Sequence, residues 1–180
     1  MRFTAVLLIG LMLVGFFALP SAALHQSEEL CISHRPYVTL AGAESRIEKN
    51  GYFRIDTMEK WIALWLEHTG AEKNPHYGMY YNTAGVPEID FEKCLVIAIF
   101  GGSGWNSAGK QSITYEEGKN HILFRFDDKS FQTAGPDGGG KRVTPFGFFV
   151  FPASDKPVIV EENVQGLIGG KPVWKERARI

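Results

Sequence analysis

A glycine-rich segment with the sequence GGSGWNSAGKQS, residues 101–112, follows an apolar run that ends at Phe100. It contains the pattern G-x-x-x-x-G-K, one residue short of the phosphate-binding P-loop, and like a P-loop it follows an apolar strand. A P-loop also needs a helix that begins at the lysine and a hydroxyl that binds Mg²⁺. Here Gln111 follows Lys110, and the next residues, SITY, favour a strand. The sequence therefore argues against nucleotide binding at this segment.

The same segment has features of a loop that binds a partner. Glycines let a backbone approach another molecule closely, Trp105 supplies a large apolar anchor, and loops on rigid sheets often carry function. The alternative is that Trp105 folds back onto the core and that the glycines only permit the turn. The sequence leaves both interpretations open. The predicted binding residues are Gly102, Gly104, Trp105, Asn106, Ser107, Gly109 and Lys110.

The sequence contains no recognisable catalytic or metal-binding motif. Residues 101–105 lack the final glycine of the nucleophile elbow G-x-S-x-G, and the five histidines do not have zinc spacing. We therefore expect no catalytic residues, no metal ligands and no cofactor. A hydrolase with a dispersed site, using for instance His121 and Asp127, is the alternative that this reasoning leaves open.

The N-terminus has the pattern of a secretory signal peptide. A positive charge at Arg2 precedes an uncharged apolar stretch, residues 5–19, and small residues form a cleavage site after Ala23. The apolar stretch is shorter than the about 20 residues that span a bilayer, which argues against an uncleaved anchor. We expect residues 1–23 to be removed and the mature chain, 24–180, to be secreted or periplasmic without stable membrane insertion.

Charge and cysteine content limit the partners further. The formal net charge of −1 provides no basic face for nucleic acid. In an oxidising compartment the two cysteines, Cys31 and Cys94, are expected to form a disulfide. The alternative is that Cys94 is a small buried hydrophobic residue.

One amphipathic helix is predicted from the segment IDTMEKWIALWLEHTG, residues 55–70. Asp56 is the predicted N-cap with Glu59 as its capping-box partner, and Gly70 ends the helix. Four side chains at helical spacing should dock onto a sheet. They are Trp61, Leu64, Trp65 and His68.

Short strands separated by turn residues make up most of the remaining chain. The Asn50-Gly51 pair predicts a tight hairpin turn, and the apolar run 95–100 predicts a central strand buried on both faces. The pattern predicts an α+β fold, with a mostly antiparallel β-sheet or a sandwich that carries one main helix, as a single domain over residues 24–180. The other predicted strands are 112–115, 121–126, 142–151 and 157–161, and the segments 71–90 and 166–180 are predicted to be mostly irregular.

Several segments resemble the C-terminal domain of PrcB, a protein associated with a protease complex. The resemblance is carried by Asp90-Phe91 before the buried strand, the glycine-rich segment, Thr144-Pro145-Phe146 and the tryptophan-bearing helix. It covers roughly residues 53–162. The family's loop usually runs through Gly-Tyr into the next strand, whereas this chain has Gly109-Lys110-Gln111, so a ligand contact at that point does not carry over.

The resemblance implies a non-catalytic role in assembling or stabilising a secreted protein complex, and it brings no catalytic residues with it. Together with the lack of a catalytic motif, it predicts an exported binding or scaffold domain whose partner is an exported protein or protease. A protease inhibitor is the second hypothesis, because secreted inhibitors often present loops of this composition from a β-scaffold. The dispersed hydrolase is the third.

Overall fold

The computed structural model describes residues 32–72, 85–132, 139–166 and 170–180, and the predicted signal peptide lies outside these ranges. The described chain forms a single helix, α1 (Met58–Thr69), and eleven strands. The strands are β1 (Ile32–Ser33), β2 (Val38–Gly42), β3 (Asn50–Ile55), β4 (Cys94–Gly101), β5 (Gly104–Trp105), β6 (Ser107–Glu117), β7 (Ile122–Ser130), β8 (Arg142–Val143), β9 (Phe146–Pro152), β10 (Val158–Asn163) and β11 (Trp174–Arg179).

The strands form two sheets and one short ribbon. The five-stranded sheet has the order β1-β6-β7-β10-β11, the four-stranded sheet has the order β2-β9-β4-β3, and β5 pairs with β8. All pairs are antiparallel except β7 with β10, which is parallel. The fold is therefore α+β with mostly antiparallel sheet and one helix, as the sequence predicts.

The central strand β4 joins the two halves of the core because its side chains alternate between its two faces. Leu95, Ile97 and Ile99 pack in the cluster that includes the five-stranded sheet. The alternate side chains, from Val96 to Phe100, pack in the cluster that includes α1. The layers are thus the helix, the four-stranded sheet and the five-stranded sheet, and the prediction of a strand buried on both faces is confirmed.

Helix α1 buries the four side chains of the predicted stripe. It ends as predicted at Gly70, whose φ of +68° is the left-handed conformation that glycine adopts most readily. The predicted N-cap is wrong by one residue. Thr57 is the N-cap, and its side chain accepts a hydrogen bond from the backbone N–H of Lys60. Asp56 instead forms an ion pair with the Lys60 side chain, with 2.7 Å between Nζ and Oδ1.

Three further predictions need correction. Asn50 and Gly51 do not form a hairpin turn, because they begin β3 and lie opposite Gly101 and Phe100 of β4. The C-terminal segment contains a strand that was predicted as irregular, because the six-residue β11 pairs with β10 at five positions. The strand β2 was not predicted at all. In each case, pairing with a strand distant in sequence decides the local conformation.

Among the described residues, no helix is long and apolar enough to cross a membrane.

Candidate functional site

The glycine-rich segment is mostly strand and not a long loop. Gly104 and Trp105 form β5, Asn106 turns the chain with a φ of +54°, and β6 begins at Ser107. Lys110 therefore lies inside a strand, and the helix N-terminus that a P-loop requires is not present at this lysine. The prediction of an extended binding loop is corrected to a short ribbon followed by a long strand.

The structure separates the predicted binding residues into a buried group and an exposed one. Ser107 and Lys110 are each 3% exposed, whereas Trp105 is 62% exposed. The seven residues consequently do not form one binding surface.

Lys110 lies at the centre of a buried ion network. Its Nζ is 2.9 Å from Oδ2 of Asp128 and 3.7 Å from Oε1 of Glu162, and it lies 5.6 Å from the ring centroid of Phe126. The hydroxyl of Ser107 donates to the other carboxylate oxygen of Asp128 at 2.8 Å. Ser107 and Lys110 both direct their polar atoms into the protein. Their contacts with Asp128 connect β6 to β7, and the contact of Lys110 with Glu162 connects β6 to β10.

The network is balanced in charge. Glu162 also pairs with Arg177 of β11, with 2.6 Å between Nη2 and Oε2, so two carboxylates face two cations. Buried charges are tolerated when they are paired and hydrogen-bonded in this way. The lysine stem passes close to Gly101 and Gly147, where a side chain on either residue would occupy its space. We therefore assign the network a structural role.

Trp105 stands on the outer surface of the β5–β8 ribbon. It lies opposite Arg142 in the ribbon, and the guanidinium of Arg142 lies 5.9 Å from its ring centroid. Asn106 next to it is held by the backbone, because its Oδ1 accepts from the N–H of Lys141 at 2.8 Å and its carbonyl accepts from the N–H of Phe131. Trp105 is thus an exposed, anchored aromatic side chain and not a lid on the core.

Two of the three predicted binding glycines have a conformational role within the chain. Gly109 has a φ of +124°, and a Cβ there would lie 2.7 Å from the backbone nitrogen of Gly42. Gly102 has a φ of +63° and a Cβ there would lie 2.8 Å from Oδ1 of Asn50. Only Gly104 faces open space. Gly102 and Gly109 therefore allow close contacts within the protein itself and not with a partner.

His121 and Asp127, the pair suggested for a dispersed hydrolase, do not share a site. His121 precedes β7 and Asp127 lies near its other end, so an extended strand separates them by about 20 Å. Both carboxylate oxygens of Asp127 are already used. They accept from the backbone N–H of Asp128 at 2.7 Å and from Nδ2 of Asn163 at 2.8 Å.

A serine–histidine contact, which the sequence did not indicate, lies in the helix-side core. Nδ1 of His68 is 2.9 Å from Oγ of Ser45, and the His68 ring packs 4.2 Å from the Phe146 ring centroid. Burial lowers the pKa of His68, which keeps the ring neutral. The backbone N–H of Ser45 donates a hydrogen bond to the hydroxyl of Thr144 at 2.8 Å, which fixes the serine backbone. The contact connects the last turn of α1 to the segment between β2 and β3. It lies among core side chains, and we assign it a structural role.

Cys94 is half-buried at the start of β4 and is a free thiol among the described residues. Its predicted partner, Cys31, lies outside the described residues. The disulfide therefore stays a prediction. In the described part of the chain no three histidine, cysteine or acidic side chains come together as metal ligands.

An apolar groove lies on the surface beside β2, and we call it the β2 groove. Its volume is about 450 Å³. One side is formed by side chains of β2 and β9 that share a face of the sheet, because Val38 is opposite Val150 and Leu40 is opposite Phe148. Trp61 of α1 forms part of the other side.

The second wall of the groove is the segment between Pro87 and Asp90. The indole N–H of Trp61 donates to the carbonyl of Pro87 at 2.8 Å, which fixes this wall to the helix. Glu88, Ile89 and Asp90 complete this wall, and Glu88 and Asp90 are exposed residues. The groove is thus mostly apolar.

The groove runs along a free sheet edge. Within the described residues β2 pairs with β9 alone and ends the four-stranded sheet. The apolar side chains of β2 are exposed to solvent: Val38 is 57% exposed and Leu40 is 40% exposed. Tyr37, which precedes the strand, is also exposed. The sequence signal that could have revealed this strand is the uncharged alternation in YVTLAG, residues 37–42.

Comparison of the chain with protein-family models, with curated proteins and with solved structures found no match in any of the three.

Proposed function

We propose that the protein is an exported, non-catalytic binding domain that holds an extended segment of a partner protein in the β2 groove. The observation that carries the proposal is the apolar groove beside β2, an edge strand that pairs only with β9 among the described residues and is approached by β6 at its last residue, Gly42. An extended peptide can add to such an edge through backbone hydrogen bonds while its alternate side chains enter the groove. This use of the fold fits the predicted scaffold role in a secreted protein complex.

The edge strands β11 and β2 differ in how they are protected. The outer strand of the five-stranded sheet, β11, carries charged side chains along its length, including Lys175, Glu176 and Arg177. Charges of this kind prevent another strand from pairing with an edge. The strand β2, VTLAG, has none. An edge with no charge and exposed apolar side chains is suited to a partner strand.

The groove has room for side chains and does not resemble a catalytic cleft. Its volume of about 450 Å³ is sufficient for several apolar side chains. Its lining includes Tyr37, Thr39, Glu88, Asp90 and Cys94, and it contains no histidine, lysine or serine. A protease inhibitor would present a loop to its target, whereas the β2 groove receives a segment. The geometry therefore supports the binding-domain hypothesis over the inhibitor.

The proposal can be tested with a displayed library of random peptides of about ten residues, selected on the purified protein. We expect the selected peptides to carry apolar residues at alternate positions. The substitution Leu40→Glu places a charge in the groove and should weaken their binding by about tenfold or more, measured by fluorescence polarisation.

The matched control is Val164→Glu, which places the same charge at a similarly exposed apolar residue after β10. It should leave the affinity unchanged, and circular dichroism should show that both variants remain folded. A library that yields no binding peptide, or peptides that bind Leu40→Glu as well as the original protein, would contradict the proposal. Loss of binding in Trp105→Ala alone would place the interface on the β5–β8 ribbon instead.

A further inference from the structure

We propose that, when no partner segment is bound, a second copy of the chain occupies the free edge of β2, with the two β2 strands antiparallel about a two-fold axis at Leu40. The inference rests on the proposed function and concerns the regulation of its site. Exposed edge strands without charges pair readily with other strands. A second copy is present wherever the protein is, and a two-fold contact requires a surface that is complementary to itself.

The ladder between β4 and β9 shows which residues of β9 bond to which neighbour. The N–H of Gly101 donates to the carbonyl of Pro145, and the N–H of Ala153 donates to the carbonyl of Lys93, both at 2.8 Å. Both pairs continue the register of β4 with β9. Because hydrogen-bonded pairs alternate along an antiparallel ladder, the odd-numbered residues of β9 bond to β4.

The even-numbered residues of β9 consequently bond to β2, and they lie opposite Val38, Leu40 and Gly42. Alternate residues of an edge strand turn their N–H and C=O groups toward its one neighbour and away from it. Thr39 and Ala41 therefore direct both groups to the free edge. These two residues lie on either side of Leu40, and a two-fold axis at Leu40 exchanges them.

A second copy placed about this axis satisfies the free backbone groups of both strands. Thr39 of each copy lies opposite Ala41 of the other, and each such pair exchanges both N–H···O bonds. The Leu40 side chains of the two copies lie opposite each other as a non-hydrogen-bonded pair, the pair type in which side chains approach most closely. The contact is thus complementary to itself in backbone and in side chain.

Charge does not oppose this arrangement. A residue near a two-fold axis meets its own copy, so a charge there repels itself. The strand β2 carries no charge, and the nearest charged residues, Arg35 and Glu44, lie beyond its opposite ends. Because the two strands are antiparallel, Arg35 of one copy and Glu44 of the other lie toward the same end.

The contact is small and therefore weak. It is built on the five residues of β2 from each copy, whereas a stable interface contains about 20–30 residues a side. We expect a dissociation constant of about 10–100 μM. A partner segment uses the same groups of Thr39 and Ala41, so the partner and the second copy exclude each other. Self-association thus protects the edge at high concentration, and a bound partner releases monomers.

Sedimentation velocity of the purified protein at about 1–500 μM tests this inference. We expect the original protein to change from monomer to dimer over this range. Leu40→Glu and Leu40→Lys each place like charges opposite each other at the axis, and each should remain monomeric alone. An equimolar mixture of the two variants should dimerise again, because the opposed charges then differ in sign. Val164→Glu, at an exposed position after β10, is the control and should dimerise like the original protein.

Dimerisation of the mixture would also show that the two variants are folded. A protein that stays monomeric over the whole range, a dimer that persists in either variant alone, or a mixture that stays monomeric would overturn the inference. The proposed function would still stand if a library-selected peptide binds the original protein and not Leu40→Glu.

A selected peptide at saturation should convert the dimer to monomers, and a dimer that keeps the peptide bound would overturn the inference. A dimer that behaves as expected in the variants, together with a library that yields no binding peptide, would support the inference and overturn the proposed function.

Discussion

Lys110 and Asp128 lie directly opposite each other on β6 and β7, and Nζ of the lysine is 2.9 Å from Oδ2 of the aspartate. The lysine is nearly inaccessible, whereas the aspartate side chain is 37% exposed. Loss of one partner should therefore cost more free energy when the remaining charge is Lys110 than when it is Asp128. Water can solvate Asp128 if the lysine is lost, but little water can reach Lys110 if the aspartate is lost.

We expect Asp128→Ala to lower the free energy of unfolding by about 3 kcal/mol, because it leaves a buried ammonium with only the more distant Glu162. Lys110→Met should cost about 1 kcal/mol or less, because methionine fills much of the same space without a charge. Urea denaturation measures the free energies of unfolding of both variants, and Lys129→Met, at an exposed position, is the control. A larger loss for Lys110→Met than for Asp128→Ala would contradict the structural role.

Stability should fall on mild acidification because His68 is buried as the neutral ring. Burial lowers its pKa below the ordinary 6.5, so the folded state binds fewer protons than the unfolded state. This contribution is fully present above pH 6.5 and is lost as the pH falls from there toward the lowered pKa of the folded protein. We expect the free energy of unfolding to be lower at about pH 5.5 than at about pH 7.5.

Replacement of the histidine should flatten this dependence. His68→Phe retains an aromatic ring among the core rings and removes the titrating group. His121→Gln, at a less buried position, is the control and should keep the pH dependence. If His68→Phe loses stability between the two pH values as steeply as the original protein, another group is responsible.

The tryptophans should respond differently to truncation. Trp105→Ala should change the free energy of unfolding by less than about 1 kcal/mol, because the side chain is largely exposed. Trp61→Ala should cost about 3–5 kcal/mol, because it removes a buried ring that packs on Trp65 and Phe148. Thermal denaturation would show this contrast. Similar losses for both variants would mean that Trp105 belongs to the core.

Glycine substitutions test the close approach of β6 to β2. Gly109→Ala should destabilise the protein by about 1–3 kcal/mol, since its φ is positive and its Cβ would meet the backbone of Gly42. Gly104→Ala, in the same segment but facing open space, should be nearly neutral. Denaturation midpoints that are equal in the two variants would contradict the assigned role of Gly109.

Local patterns in the sequence predict the parts of the fold that depend on local periodicity. The stripe from Trp61 to His68 predicts α1 and its buried face, and the apolar run 95–100 predicts β4. Both signals are strong because burial on one helix face or on two strand faces requires them. The mostly antiparallel α+β fold follows from the same signals.

Features that depend on long-range pairing are the ones that the sequence leaves out or misassigns. Asn50-Gly51 has the composition of a turn, yet pairing with β4 makes it strand. The charged β11 has no apolar alternation because it is an edge strand. Lys110 appears as a ligand-binding residue in sequence, but its partners Asp128 and Glu162 become visible only when β6, β7 and β10 are adjacent.

The candidate site was missed for the same reason. The β2 groove combines a strand near the N-terminus, one turn of α1 and a segment before β4. None of these segments carries a signal that indicates a groove. What identifies the groove is their proximity and the exposure of Val38 and Leu40, which only the folded chain shows.

Hydrogen exchange at β2 tests the central claim most directly. The account predicts that binding of a library-selected peptide slows exchange of those backbone amides of residues 38–40 that face the free edge, because an added strand would bond to these alternate amides and not to the ones already bonded to β9. The amide of Trp105 should be unaffected. Unchanged exchange at β2 with new protection at Trp105 would contradict the account and would assign binding to the β5–β8 ribbon.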